Sequence, residues 1–374
     1  LAILAFGFSI DFLGVLNTVS FSASVLFSLP LLWLLGRLPL RFALIVSAGF
    51  QVIGVALLAL WPQTAGLLIA SALLGTAAVL FDISAAPFMM RHSTDATRDQ
   101  LFSANTAIRV GLGGVGSLFG GQLPALAALW LEASAQSPLA YRVAFLVAVL
   151  GLALALVPLL LIGRSAPPKT ITAPVEKSPS GVWALLLRKP GPLIKLMISP
   201  VLISFGAALL VPYLNLFFKQ RFETSDQMLG LIFAGLGICT GLAALAAPRL
   251  SARIGKMPTI VLTEALGVPF LLVLGFAPLL GIAVGAALAR AALFNMATPL
   301  YDAFAMETSS EEARPTIIAL LNGAYSIGYL GGPLLSTYIQ SYYGFTPVFL
   351  CTACCYTLAV WAKYQFFIRH TRFG

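Results

Sequence analysis

Charged side chains are scarce in this sequence. Only 9% of its 374 residues are Asp, Glu, Lys or Arg, whereas 59% are hydrophobic, and the mean hydropathy is +0.96. A soluble domain carries about 25% charged residues, so this composition excludes an ordinary soluble protein and is typical of a polytopic membrane protein. The basic residues behind the net charge of +9 lie in short loops between apolar stretches, so we expect no nucleic-acid partner.

Cysteine and histidine are also rare. The four cysteines lie inside apolar segments, which argues against a disulfide framework. The only histidines, His92 and His370, lie at the ends of such segments, and no HExxH run is present. A metalloprotease or a Ser–His hydrolase therefore has little support. We expect no enzymatic activity, no cofactor and no metal site.

Apolar segments long enough to span a membrane, about 20 residues each, recur along the whole chain. We interpret the short apolar run at Leu1 as the tail of a further helix, so the intact protein is expected to have twelve spans. The eleven complete segments lie at roughly 11–35, 42–61, 64–90, 100–130, 140–162, 193–218, 227–248, 258–277, 279–305, 316–339 and 346–368.

The segment GRSAPPKTITAPVEKSPSG is rich in Pro, Ser and Lys, as is typical of a flexible linker. It divides the chain into an N-terminal bundle (1–163), a linker with an interfacial helix (164–192) and a C-terminal six-helix bundle (193–374). The halves repeat, because FLGVLN at 12, LWP at 60 and GSLFGG at 116 match MLGLIF, FAP and GPLLST 216 residues later. Two parallel repeats joined by a linker are typical of secondary transporters.

The distribution of Lys and Arg predicts the orientation. Seventeen of them lie on the side of the linker, three (Arg142, Lys219 and Arg221) lie on the other side, and two lie within spans. Positive charge accumulates in cytoplasmic loops. We therefore expect a multi-pass protein of the cell inner (plasma) membrane, with the linker and both termini of the intact protein in the cytoplasm.

Each half contains one similar loop: LWLLGRLPLR, with Arg37 and Arg41, and PRLSARIGKM, with Arg253 and Gly255. A glycine-rich run, LGGVGSLFGG, lies inside a span of the first half. The two loops resemble the loop signature Gly-x-Leu-x-Asp-Arg-x-Gly-Arg-Arg of the major facilitator superfamily, and the glycine-rich run resembles part of its antiporter signature. The chain is similar to this family over essentially its whole length. The resemblance implies an all-α fold of two pseudo-symmetric six-helix bundles around a central cavity, here without most of the first helix. It also implies a gating role for the four loop residues.

Two charges deep in apolar segments are predicted to meet. Asp82 and Arg109 lie about 12 Å and about 13 Å from the cytoplasmic ends of consecutive helices, at 1.5 Å per residue. A charge at bilayer depth costs about 2.5–3.5 kcal/mol, so such groups need partners or water. If they meet, the pair is either a structural clasp or a proton switch in which protonation of Asp82 releases Arg109.

Two further acids, Glu264 and Asp302, are candidates for proton coupling. Glu264 lies about two turns from the cytoplasmic end of its helix. We expect it to pair with a basic loop residue such as Arg253.

Arg290 is the other deep charge and the preferred substrate-contacting residue. At about 100° per residue, Arg290, Phe294, Thr298 and Tyr301 fall within a wedge of about 80°, which we expect to face a water-filled cavity. The alternative is a structural role in a pair with Asp302, about three turns away. The full set of predicted substrate-binding residues is Arg290, Phe294, Asn295, Thr298, Tyr301, Asn322, Tyr325, Tyr329 and Tyr213.

These features predict secondary transport of a small solute by alternating access. No nucleotide-binding motif is present, so we expect coupling to a proton gradient. Export of amphiphilic, drug-like compounds is favoured by the partial antiporter signature and by the many Phe and Met residues. Uptake or exchange of a small organic anion is the alternative, favoured by two deep arginines. The expected partners are a small-molecule substrate, protons and the lipid bilayer, and we expect a monomer.

Overall fold

The computed structural model describes residues 1–35, 39–91, 95–161, 190–308 and 314–369, and within these ranges all regular structure is helical. The predicted all-α fold is thereby confirmed. The α-helices are α1 (Ala2–Ala5), α2 (Ile10–Leu35), α3 (Leu40–Leu60), α4 (Thr64–Arg91), α5 (Asp95–Leu131), α6 (Pro138–Leu161), α7 (Pro190–Leu210), α8 (Leu214–Phe222), α9 (Asp226–Ile254), α10 (Lys256–Phe276), α11 (Leu280–Glu307), α12 (Arg314–Tyr343) and α13 (Phe345–Lys363). A 3₁₀ turn (Val211–Tyr213) joins α7 to α8, and a π-helical turn (Tyr364–Arg369) follows α13.

The long helices follow from the apolar composition. Hydrocarbon offers no partner to a backbone N–H or C=O, so a spanning segment must satisfy these groups internally, as an α-helix does. Within the described ranges, ten helical segments are long and apolar enough to cross a membrane. They match ten of the eleven predicted spans. The eleventh, predicted at 316–339, lies in the 30-residue helix α12, which is not among the ten.

The chain divides into two compact units. The first contains α1–α6 together with Asp226–Gly230, and the second contains α7, α8, the remainder of α9 and α10–α13. The predicted linker and interfacial helix lie for the most part in residues 162–189, outside the described ranges.

A close approach of α2 and α4 organises the first unit. Ser24 Oγ on α2 donates a hydrogen bond to the Gly75 carbonyl oxygen on α4 at 2.7 Å. A Cβ atom on Gly75 would overlap the backbone carbonyl of Ser20. Small residues allow such approaches between membrane helices, which associate through van der Waals packing and hydrogen bonds. Gly75 therefore sets the distance between α2 and α4.

The second unit has a continuous apolar core to which α7, α9, α10, α11 and α12 contribute. Tyr301 on α11 is part of this core, and its hydroxyl donates to the Leu196 carbonyl oxygen on α7 at 2.6 Å. This hydrogen bond satisfies the one polar atom of the Tyr301 side chain. The core residues are Leu193, Leu196, Ala247, Met257, Ile260, Ala297, Leu300, Tyr301, Ala305, Ile317 and Leu321.

We expect the Gly75→Ala variant to be destabilised by about 1–3 kcal/mol, because the added methyl group overpacks the contact between α2 and α4. The matched control is Gly49→Ala on α3, where an added Cβ would meet no atom within 4 Å. The apparent melting temperature of the purified protein in detergent measures both. Equal melting temperatures for the two variants would contradict the assigned role of Gly75.

Candidate functional site

A cavity of about 490 Å³ lies within the first unit, among α3, α4, α5 and α6. Pockets for small molecules typically measure about 300–1,000 Å³ and combine apolar walls with a few polar groups. The polar side chains here are Ser47, Gln51, Asp82 and Arg109. The rest of the lining is apolar and consists of Leu44, Ala48, Ala78, Phe81, Leu152, Ala155 and Leu159.

The structure brings Asp82 and Arg109 together in this cavity, as a loose ion pair. Arg109 Nη1 lies 3.6 Å from Asp82 Oδ1, and the side chains are 58% and 60% exposed. This separation exceeds the usual range of an N–H···O hydrogen bond. The Arg109 guanidinium also lies 5.7 Å from the centre of the Phe81 ring. Both charged groups therefore keep most of their surface open to a further partner.

The predicted water-facing wedge on α11 is wrong for three of its members. Arg290, Phe294 and Tyr301 are buried inside the second unit, whereas Asn295 and Thr298 are exposed. The buried positions form one helical seam with Ala297. Clustering of polar residues on one face indicates water only where they lack partners inside the bundle. Here Tyr301 bonds to a backbone carbonyl, so its side belongs to the core.

Arg290 lies among aromatic rings. Its guanidinium is 6.0 Å from the centre of the Phe294 ring, and that ring lies 4.3 Å from the ring of Tyr356. Arg290 is 7% exposed, and its Nη1 is buried without a hydrogen-bond partner. Across the described ranges no ion pair joins Arg290 to Asp302, so the alternative structural pair is absent there.

Glu264 pairs with Lys363 and not with a loop residue such as Arg253, so that prediction is wrong. Lys363 Nζ lies 2.5 Å from Glu264 Oε1, and both side chains are almost fully buried. The same ammonium lies 4.5 Å from the centre of the Tyr301 ring. Packing of α10 against α13 creates this contact between residues 99 positions apart. The second Glu264 oxygen, Oε2, is buried without a hydrogen-bond partner.

The remaining predicted substrate residues differ in their exposure. Tyr213 is fully buried, and its hydroxyl donates to the Pro333 carbonyl oxygen at 3.1 Å. Asn322 is exposed, while Tyr325 and Tyr329 are half-buried. Asp302, the other candidate for proton coupling, is also half-buried.

The loop-motif residues lie at helix ends. The Arg41 guanidinium donates to the carbonyl oxygens of Leu159 at 3.1 Å and Leu160 at 2.6 Å, near the end of α6. Gly255 joins α9 to α10 with a φ of +89°, which favours glycine, and Arg253 beside it is exposed. Arg37 lies outside the described residues.

Sequence reasoning missed Lys363, which is one of the seventeen basic residues assigned to the side of the linker. The spacing of Thr352, Tyr356, Ala359 and Lys363 in the sequence places them on one helical face. In the structure all four are buried. Sequence reasoning also missed Ser47 and Gln51, which line the cavity and follow each other by one turn on α3. Nothing in the local sequence distinguishes these two from ordinary polar residues of a span.

We expect Lys363→Met to cost about 3–5 kcal/mol, because it leaves the buried Glu264 charge without its partner. The double variant Glu264→Met/Lys363→Met should recover most of this loss, since no buried charge remains. The apparent melting temperatures of the unmodified protein, the single variant and the double variant in detergent would measure these changes in stability.

The matched control is Lys256→Met. It removes a more exposed lysine that pairs with Glu307, and such pairs are worth at most about 1 kcal/mol. A double variant no more stable than Lys363→Met would contradict the ion pair as the cause.

Known proteins with a similar sequence profile or a similar fold indicate the family to which this chain belongs. The Major Facilitator Superfamily profile matches residues 2–288 and 196–371. No curated protein sequence matches the chain significantly. All the solved structures below have sequence identities low enough that the likeness shows a shared fold alone.

Three solved structures illustrate the likeness. A bacterial homologue of the human lysosomal transporter Spinster, inward-facing and unoccupied, has a TM-score of 0.76 at 16% identity, over 97% of this chain and 88% of that one. The nucleoside transporter NupG gives 0.76 at 13% identity, over 98% and 95%. A D-xylose–proton symporter gives 0.73 at 15% identity, over 96% and 88%. With the profile match across its length, the chain belongs to the Major Facilitator Superfamily of membrane transporters and is a multi-pass membrane protein.

Proposed function

We propose that this protein is a proton-coupled secondary transporter of the inner membrane that exports amphiphilic, drug-like compounds by alternating access. The observation that carries the proposal is the Asp82 carboxylate, which lies in a cavity of ligand size with mainly apolar walls. An ionisable residue within a membrane span is costly and marks ion or substrate pathways. The apolar walls favour solutes with an apolar body.

The loose geometry at Asp82 favours the proton switch over the structural clasp. A clasp needs close, hydrogen-bonded groups, whereas Arg109 Nη1 stands 3.6 Å from the carboxylate and both side chains are more than half exposed. Protonation of Asp82 removes its attraction for Arg109 and so alters the contact between α4 and α5. The cycle would use that change to couple proton entry to solute exit.

We expect Asp82→Asn to abolish solute accumulation driven by a pH gradient, because asparagine cannot bind and release a proton in this range. Exchange of labelled for unlabelled solute without a gradient should persist at saturating solute. Reconstituted liposomes loaded with a panel of fluorescent amphiphiles measure both rates.

Glu307→Gln provides the control, since this exposed acid lies outside the cavity and should keep gradient-driven accumulation. If Asp82→Asn still responds to the gradient, coupling does not pass through Asp82. If the unmodified protein never responds, proton-coupled export is wrong.

Uptake or exchange of a small organic anion is the second candidate, supported by Arg290. A buried guanidinium with an N–H that has no acceptor is costly, and an anionic group bound beside it would supply that acceptor. This candidate places the solute in the second unit, near Phe294, Tyr329 and Tyr356. The two tyrosines lie within electrostatic range of Arg290.

Ligand-induced thermal stabilisation separates the two candidates, because a ligand of the folded state raises apparent stability by mass action. If only organic anions raise the melting temperature, and Arg290→Ala abolishes the rise while the exposed-residue control Arg249→Ala does not, the anion candidate replaces export. If lipophilic compounds raise it and Arg290→Ala has no effect on the rise, Arg290 is structural.

A further inference from the structure

We propose that the cavity of the first unit binds a zwitterion: a drug-sized solute with an ammonium group and a carboxylate at one end of an apolar body. The inference rests on the proposed function, because it names the class of compound that would be transported. It is carried by the presence of one acid and one base in the same cavity, Asp82 and Arg109, both with exposed surface.

The two charges of the cavity sum to zero within a few ångströms. A solute with only a positive charge that approaches Asp82 must also approach Arg109, which repels it, and a purely anionic solute meets the converse repulsion. A zwitterion can place its ammonium group at Asp82 and its carboxylate at Arg109. Only a zwitterion is attracted by both Asp82 and Arg109, so the charges of the cavity select for zwitterionic solutes.

Asp82 and Arg109 keep the hydrogen-bonding capacity that this requires. At 3.6 Å their closest atoms are beyond ordinary hydrogen-bonding distance. A guanidinium has five N–H donors in a fork that matches a carboxylate, and an ionised carboxylate has several acceptor positions for an ammonium group. Each can therefore bind a ligand group while the two remain neighbours.

The other lining residues accommodate an apolar body. Ser47 Oγ already donates to the Ala77 carbonyl oxygen at 2.8 Å, so its proton is not available to a ligand. Apart from the neutral amide of Gln51, the remaining wall is apolar, with three leucines from α3 and α6, three alanines and the ring of Phe81 on α4. Charge recognition thus comes from the ion pair, and the apolar walls recognise the rest of the solute.

The second unit contains an acid–base pair that is closed and buried. The offset of 216 residues between the repeats relates Ala48, in the cavity wall, to Glu264. Glu264 is held by Lys363 at 2.5 Å, and the side chains are only 4% and 2% exposed. The pair of the first unit is wider and open, as a site that exchanges partners requires.

Three compounds with the same phenylpropyl body test the proposal: 3-phenylpropylamine, 4-phenylbutanoate and 2-amino-4-phenylbutanoate, which carry the amine, the carboxylate and both. We expect the purified protein to bind the zwitterion about tenfold or more tightly than either singly charged compound. Asp82→Asn should shift the preference to the anion, and Arg109→Gln should shift it to the amine. Calorimetry or thermal shift measures binding, and size-exclusion chromatography verifies that each variant is folded.

The charge swap Asp82→Arg/Arg109→Asp should restore the preference for the zwitterion, and the control Glu307→Gln should never lose it. Equal binding of the three compounds, no binding of the zwitterion at millimolar concentration, or a preference unchanged in both single variants would overturn the proposal. Transport driven by a pH gradient without zwitterion preference would refute this inference and leave the proposed function intact. Zwitterion binding without gradient-driven transport would support the zwitterion site and refute proton-coupled export.

Discussion

Hydrocarbon solvates neither charges nor backbone polar groups, and this constraint governs the whole structure. It makes long helices the form of every described spanning segment, since each must satisfy its own backbone. It also means that each deep charge is placed where another part of the protein can compensate it. Three cations, Arg109, Arg290 and Lys363, differ in how closely neighbouring groups compensate their charge.

Lys363 is compensated most closely, by a carboxylate at 2.5 Å and by the face of an aromatic ring. Arg109 has a carboxylate within electrostatic range but outside hydrogen-bonding distance, and it faces a cavity. Arg290 has aromatic neighbours and one buried N–H without an acceptor. A closed pair resists change, because separating it exposes two charges to an apolar interior. An open pair is the better place for a proton or a solute to act.

The two halves of the chain repeat in sequence, and yet their charges are used differently. The position related by the repeat to Glu264 is Ala48, whose small side chain leaves space where the second unit has a carboxylate. The sequence repeat thus relates a buried acid–base pair in the second unit to a cavity-lining alanine in the first.

The sequence by itself determined the helical class, the approximate extent of the spans and the family. Long apolar segments predict helices directly, because a segment in hydrocarbon must satisfy its own backbone hydrogen bonds. The repeat and the motifs predict the family. Depth along consecutive helices was sufficient to predict that Asp82 and Arg109 are neighbours. Tertiary packing alone decided which helical faces are buried, so the polar wedge on α11 and the partner of Glu264 were predicted wrongly. A helical period gives the angle of each residue about its own axis, but only the neighbouring helices determine whether that angle points to water, lipid or another side chain.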